Sequence, residues 1–120
     1  MTQIQHIAIT SHDTLKLAEF YRETFGMKEV TRVGAEERPA FYMSDGHMNL
    51  AIVPAKDEEP AGIAHFGFQV EDLEVAKEKA ESHGADLGPG DMARREGGAE
   101  DFVMDPSGIR VDLSVAGWPL

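Results

Sequence analysis

The chain has 120 residues, no cysteine and a formal charge of −11 at pH 7. Its length is typical of one domain with a single core, and the absence of cysteine excludes disulfides and thiolate metal sites. The negative charge, with no basic stripe to offset it, argues against nucleic-acid binding because phosphate backbones would be repelled. No apolar run reaches membrane-spanning length and no signal segment precedes the first predicted strand, so we expect a cytoplasmic protein with no membrane contact.

The first part of the chain predicts a strand, a helix and three further strands, because apolar residues recur first at period 2 and then at period 3.6. The helix covers residues 13–26, with Asp13 as its N-cap and Gly26 at its end. Its predicted apolar stripe consists of Leu17, Phe20, Tyr21 and Phe25. The strands are predicted at 4–10, 27–33, 38–44 and 47–53. Residues 54–62, with two prolines and three acids, predict a linker.

After the linker the same order of patterns begins again. The predicted helix covers 72–84, with Asp72 as N-cap and Gly84 at its end. Strands are predicted at 63–70, 86–93, 99–105 and 109–115. Asp105–Pro106–Ser107–Gly108 fits a type I turn, with proline second and glycine fourth.

The two halves can also be aligned with each other. "HIAITSHD" matches "HFGFQVED", which brings His6 onto His65, and "AFYMSDG" matches "DFVMDPSG". "MNLAI" matches "VDLSV", which brings Asn49 onto Asp112. This repeat predicts two βαβββ modules, at 1–53 and 63–120, within a single domain.

Strand alternation divides each strand into a helix-facing row and an opposite row. The helix-facing rows contain Ile7, Ile9, Met48, Leu50, Ile52, Phe66, Phe68, Val70, Ile109, Val111, Leu113 and Val115. Four strands then place a polar residue on the opposite side: His6, Asn49, His65 and Asp112. Two imidazoles and a carboxylate are the donor set of a 2-His-1-carboxylate site for a divalent cation. The alternative is that these histidines are ordinary core or pocket residues.

Further residues are candidates for the lining of a substrate pocket. Tyr42, His47 and Gln69 fall on the same predicted side as the polar row. Arg110 precedes Asp112 by two positions, so it either binds an anionic group of a substrate or forms an ion pair. Arg94 lies in the glycine-rich stretch "GDMARREGG", which either covers the pocket mouth or is a solvated loop.

The order of elements resembles the vicinal oxygen chelate superfamily of glyoxalase, bleomycin-resistance and extradiol dioxygenase proteins. The segments that carry the resemblance are "HIAI", "FYRETFGMK", "HFGFQVED" and "DPSGIRVDLS". The resemblance implies an α+β fold in which paired βαβββ modules form an open eight-stranded mixed-sheet barrel around a cavity, with the helices outside. It also implies a homodimer.

Carried over residue by residue, the resemblance implies that His6, His65 and Asp112 hold the metal, with Asn49 at a possible fourth position. Aspartate at 112 is one methylene shorter than the glutamate common in the family. The neutral amide of Asn49 replaces a Glu or Gln, which argues against the proton-transfer reactions of glyoxalase I and of the epimerases.

Two classes of function follow. The first is a metal-dependent enzyme that holds Fe, Mn, Zn or Ni and acts on a small oxygen-bearing molecule by dioxygenase-like or lyase-like chemistry. The alternative is a metal-free protein of the bleomycin-resistance type that binds or sequesters a small molecule. In that case the histidines would only form hydrogen bonds.

Overall fold

A computed structural model of the chain describes residues 2–88 and 98–120. These residues form eight strands and two helices in the predicted order βαβββ-βαβββ. The strands are β1 Gln3–Ser11, β2 Lys28–Ala35, β3 Arg38–Ser44, β4 Asn49–Pro54, β5 Gly62–Gln69, β6 Asp86–Leu87, β7 Asp101–Met104 and β8 Arg110–Ser114. The helices are α1 Thr14–Phe25 and α2 Leu73–Ser82. Among the described residues, neither helix has the length and apolar content that crossing a bilayer requires.

The chain divides into two compact units. We call His6–Ala64 with Pro119–Leu120 the first unit, and the residues up to Gln5 with His65–Trp118 the second unit. The strand order is β2-β3-β4-β1 in the first unit and β5-β8-β7-β6 in the second. In each unit one neighbouring pair is parallel, β1 with β4 and β5 with β8, and the other pairs are antiparallel. The predicted class, an α+β fold of two βαβββ modules with mixed strand directions, is confirmed.

In the first unit α1 begins where Asp13 accepts a hydrogen bond from the Lys16 backbone nitrogen, and it ends at Gly26, whose φ is +70°. Both predicted ends are confirmed. Its buried contact with the strands is made by Ala18 against Phe41, Met43 and Ile52. The predicted stripe is half right, since Leu17 and Tyr21 pack on this cluster, whereas Phe20 and Phe25 are 49% and 68% exposed. The buried line follows Thr14 and Ala18, whose i, i+4 spacing places the two phenylalanines to one side.

In the second unit α2 begins at the predicted N-cap, Asp72, which accepts from the Val75 backbone nitrogen. The helix is capped by His83 instead of Gly84, so the predicted end is one residue late. Its packing residues, Leu73, Ala76 and Ala80, lie against Val70, Val103, Val111 and Leu113. The helix-facing row predicted for β5 is therefore confirmed, as is the β8 row at Val111 and Leu113. Ile109 and Val115, at the two ends of the β8 row, are exposed, so the prediction is wrong for them.

One buried ion pair joins α2 to β7. The Lys77 ammonium lies 2.8 Å from an Asp101 carboxylate oxygen, and the Asp101 side chain is fully buried. The hydrogen bond from Lys77 to Asp101 raises the pKa of the lysine, against the opposing effect of burial. A charged group at this depth needs such a partner because desolvation disfavours an isolated charge.

The alignment of the two modules needs a correction of two residues. His6 lies opposite Asn49 on the neighbouring strand, but the residue opposite Asp112 is Gly67, two positions beyond His65. The β7–β8 connection, residues 105–109, is one residue longer than the β3–β4 connection, residues 45–48. Asn49 is therefore not the counterpart of Asp112. Because the offset is even, Asp112 stays on the same face of its strand.

The remaining predicted elements agree in order but differ at their ends. β4 begins at Asn49 and not at 47, because Asp45 accepts from the backbone nitrogens of His47 and Met48 and closes a turn there. The Asp105–Gly108 turn forms, with the Gly108 nitrogen donating to the Asp105 carbonyl over 2.8 Å. β6 consists of Asp86–Leu87, and residues 89–93 of its predicted range lie outside the described residues.

Candidate metal and substrate site

The second unit brings His65 and Asp112 together on the face opposite α2. His65 Nε2 lies 2.9 Å from Asp112 Oδ2, and the two side chains are 18% and 5% exposed. β5 and β8 are parallel neighbours, so His65 and Asp112, which both lie in the rows that face away from the helix, come side by side. A carboxylate can only accept, so Nε2 donates the proton of this hydrogen bond.

Arg110 holds the other oxygen of the same carboxylate. Its Nε donates to Asp112 Oδ1 over 2.8 Å, and its guanidinium carbon lies 4.2 Å from the centre of the Phe102 ring. A guanidinium that stacks on an aromatic face while it donates to a carboxylate is held in both direction and plane. Of the two alternatives for Arg110, the ion pair is therefore present.

Burial and these two partners act in opposite directions on the pKa of Asp112. Desolvation raises it, because burial disfavours the charged carboxylate. The hydrogen bonds and charges of His65 and Arg110 outweigh burial and hold the pKa below its usual value. Asp112 is therefore a carboxylate at neutral pH, which is the form that can bind a cation.

Gly67 is small because an indole ring occupies the space where a side chain would be. A Cβ at this position would lie 2.6 Å from Trp118 Cη2 and 3.2 Å from Asp112 Cβ. Trp118 is itself 5% exposed, and its backbone nitrogen donates to Gln5 Oε1 over 2.8 Å. A glycine between His65 and Gln69 thus admits an aromatic side chain next to Asp112.

In the first unit His6 and Asn49 form a second polar pair. His6 Nδ1 lies 3.1 Å from Asn49 Oδ1, and both residues are buried. The Asn49 amide nitrogen donates to the Pro119 carbonyl over 2.8 Å, which identifies the atom that faces the ring as the amide oxygen. That oxygen can only accept, so Nδ1 carries the proton of this hydrogen bond, and a neutral ring would then have its lone pair on Nε2. This is the tautomer that binds a metal through Nε2.

The other residues predicted to line a substrate pocket lie in different parts of the chain's structure, and each has its own local environment. Tyr42 is buried on β3 opposite Ala51. His47 is exposed in the β3–β4 turn, outside the strand in which it was predicted. Gln69 donates to the Val115 carbonyl over 3.2 Å and thereby tethers the backbone beyond β8. Arg94 lies outside the described residues.

The second unit also has a cavity of about 540 Å³, on the side of its strands that faces α2. Its lining includes Val70, Val111 and Leu113 and does not include His65 or Asp112. Here α2 presents the small side chains of Ala76 and Ala80 to the strands, which leaves space between the two layers. We assign the chemistry to the polar face because titratable donor groups converge there.

Two contacts of this face were not predicted from the sequence. The aromatic partner of Arg110 is Phe102, which lies opposite Asp112 on β7. Had the register of the β7–β8 hairpin been known, the pairing of Phe102 with Asp112 would have predicted this contact. The packing of Trp118 on Gly67 has no local signal in the sequence apart from the glycine itself.

The family of the chain follows from comparison with known proteins. A family model described as the Glyoxalase/Bleomycin resistance protein/Dioxygenase superfamily matches residues 3–113. The chain belongs to this superfamily. The resemblance inferred from the sequence is thereby confirmed. No curated protein matches the chain significantly.

Several solved structures are similar to the chain over nearly its whole length. A variant of methylmalonyl-CoA epimerase from Streptomyces coelicolor is 23% identical with a TM-score of 0.72, covering 100% of this chain and 99% of its own. The epimerase from Mycobacterium tuberculosis is 17% identical with a TM-score of 0.75, over 92% and 85%. A hypothetical protein from Bacillus halodurans is 18% identical with a TM-score of 0.71, over 93% and 92%. At these identities the likeness establishes the fold.

Proposed function

We propose that the protein is a divalent-metal-dependent enzyme that acts on a small oxygen-bearing molecule. In this proposal His6, His65 and Asp112 supply the ligands. The observation that carries it is the buried carboxylate of Asp112, which is ionised and meets an imidazole on a face that is not the helix-packing face. Within a domain of this superfamily, two histidines and one carboxylate form a donor set suited to Fe, Mn, Zn or Ni.

The donor groups fit a divalent cation chemically. His6 has a lone pair on Nε2, fixed by its bond to Asn49, and Asp112 is ionised. His65 holds a proton on Nε2 that a cation would displace, so binding should release a proton. When bound, the metal would act as a Lewis acid for substrate oxygens or exchange electrons with dioxygen.

The residues around the ligands have supporting roles. Asn49 fixes the tautomer and plane of the His6 ring, and Arg110 fixes the direction of the Asp112 carboxylate. Partners of this kind fix the orientation of metal ligands, and their loss typically lowers metal affinity about 10–100-fold. Asn49 uses its amide oxygen and its amide nitrogen in these contacts, so we propose that it supports His6 and is not a fourth ligand.

The reaction proposed is dioxygenase-like or lyase-like. Methylmalonyl-CoA epimerases have a similar fold, but the likeness to them shows the fold alone. An epimerase needs a base that accepts a proton, and the amide of Asn49 cannot do so. We retain from the sequence the expectations of a homodimer and of a cytoplasmic location.

A metal-free binding protein is the second candidate. The observation that favours it is that both histidines make hydrogen bonds within the chain, His65 to Asp112 and His6 to Asn49. Residues that serve only to build a polar pocket wall would make such bonds. In this case a small molecule would bind equally well in the presence of a chelator.

Metal analysis of the purified protein separates these candidates. We expect close to one Fe, Mn, Zn or Ni per chain by inductively coupled plasma mass spectrometry. His65→Ala and Asp112→Ala should lose it, while His83→Ala, which changes an exposed histidine of the same unit, should retain it. Metal-free wild-type protein that takes up none of the four ions on titration would contradict the enzyme and favour the binding protein.

A further inference from the structure

We infer that Arg110 is the subsite for an anionic oxygen group of the substrate, so that the substrate is a small organic acid or phosphate. This inference rests on the proposed function, since the same carboxylate that would bind the metal orients the arginine. It adds a specificity-determining residue to the proposed ligand set. The argument uses only residues of the second unit.

The first observation is which nitrogens of the Arg110 guanidinium form hydrogen bonds. Its Nε nitrogen donates to Asp112 Oδ1. Nη1 and Nη2 donate no hydrogen bond to residues 2–88 and 98–120, and the side chain is 37% exposed. A guanidinium has five N–H donors, and four of them belong to these two terminal nitrogens. Most of the N–H groups of the Arg110 guanidinium therefore have no hydrogen-bond acceptor among the described residues.

The second observation is that this guanidinium is fixed in place. The Phe102 ring lies against its face at 4.2 Å, and the Asp112 bond fixes the position of Nε. A planar fork held in this way presents its terminal edge in one direction, and this geometry matches carboxylate and phosphate oxygens bidentately. Neutralisation of Asp112 alone does not explain why the terminal nitrogens of Arg110 are held in one direction without a hydrogen-bond acceptor among the described residues.

Charge also favours an anion at this point. The chain as a whole has a formal charge of −11, which repels anions from its surface. At Asp112, by contrast, a single carboxylate contacts both His65 and Arg110. With a divalent cation on the same carboxylate, the site as a whole would be positive. An organic anion could bind the metal ion through one oxygen and the Arg110 guanidinium through its charged group.

Ligand binding to cobalt-loaded protein tests this subsite. The probes are pyruvate, its neutral counterpart hydroxyacetone, and inorganic phosphate, measured by calorimetry and by the visible absorption of the cobalt ion. We expect Arg110→Met and Arg110→Lys to weaken binding of the anions at least tenfold and to change hydroxyacetone binding less than twofold. The lysine variant keeps a positive charge at Asp112 but has no fork, so it guards against misfolding of the methionine variant.

Arg32→Met is the matched control, because Arg32 also stacks on a phenylalanine, at 4.6 Å, and pairs with a carboxylate, in the first unit. It should leave binding of all three probes unchanged. Arg110-dependent binding of pyruvate or of phosphate supports the subsite, and the tighter of the two identifies the preferred group.

Two results overturn the inference in distinguishable ways. Equal anion affinity in wild type and both Arg110 variants, with cobalt still bound, removes the subsite and leaves the metal proposal intact. An equal loss of pyruvate and hydroxyacetone affinity would likewise assign Arg110 a purely structural role. Failure of the wild-type protein to take up cobalt or any of Fe, Mn, Zn and Ni removes the proposed function, and the inference with it.

Discussion

At the scale of single residues, the polar face is explained by which atoms can donate and which can only accept. The Asn49 amide is oriented by the Pro119 carbonyl, and this orientation fixes the proton on the His6 ring. The Asp112 carboxylate accepts a hydrogen bond from His65 at Oδ2 and from Arg110 at Oδ1. Neither arrangement could be read from the sequence, which indicates that a residue lies on a face but not which of its atoms is engaged.

The Asn49 contact leads to a prediction about metal affinity. Asn49→Ala removes the acceptor for His6 Nδ1, so the ring loses its preferred tautomer and orientation. We expect metal affinity to fall about 10–100-fold, measured by competition with a chromophoric chelator. Asn49→Asp keeps an acceptor at the same position and should bind metal more tightly than the alanine variant. Equal affinities in the two variants would show that the amide does not orient His6.

A second prediction concerns Gly67. Gly67→Ala places a methyl group where the Trp118 ring lies, and we expect a loss of about 1–3 kcal/mol in the free energy of unfolding. Trp118 is the single tryptophan of the chain, so its fluorescence emission should shift as the ring is displaced. Gly62→Ala is the control, because a Cβ there meets nothing within 4 Å. Unchanged emission in Gly67→Ala would contradict the packing described here.

At the scale of elements, caps and alternation were predictable and packing details were not. Asp13 and Asp72 each precede a run with helical periodicity, and each caps its helix. The row of β5 and the centre of the β8 row followed from alternation alone, while the ends of the β8 row, Ile109 and Val115, are exposed. The exposure of Phe20 and Phe25 was not predictable in this way, because the buried residues of α1 are Thr14 and Ala18, which a pattern of large apolar residues does not indicate.

The Lys77–Asp101 pair supports a prediction about stability and pH. The pKa of Lys77 is raised in the folded state, so its contribution is complete below the ordinary lysine pKa of 10.5 and is lost as the pH rises through the folded value. Lys77→Met should cost about 3–5 kcal/mol at pH 7, because it removes a cation from a fully buried carboxylate.

Urea denaturation between pH 7 and pH 11 measures both effects. Lys79→Met, which changes an exposed lysine of the same helix, should have wild-type stability at pH 7. The Lys77→Met/Asp101→Asn double variant should recover part of the loss, since the buried charge is gone as well. Equal stability of the Lys77→Met and Lys79→Met variants would contradict the structural importance of the pair.

At the scale of the whole molecule, the internal repeat predicted the two modules and hence the superfamily. The order of elements was sufficient for this, because the same sequence of periodicities occurs twice. The repeat failed in register, where Asn49 was matched with Asp112 although the strand pairing sets Gly67 opposite Asp112. The hairpin connections of the two modules differ in length, and few identities between the strands were available to reveal the offset.

The central claim is that one divalent ion is held by His6, His65 and Asp112. Crystals of the protein grown with manganese, with data collected at an energy where the ion scatters anomalously, test it most directly. We predict an anomalous peak at about 2.0–2.3 Å from a nitrogen of each imidazole and from an oxygen of the carboxylate. A map with no peak between these three side chains, or with the ion bound only at other residues, would contradict the account.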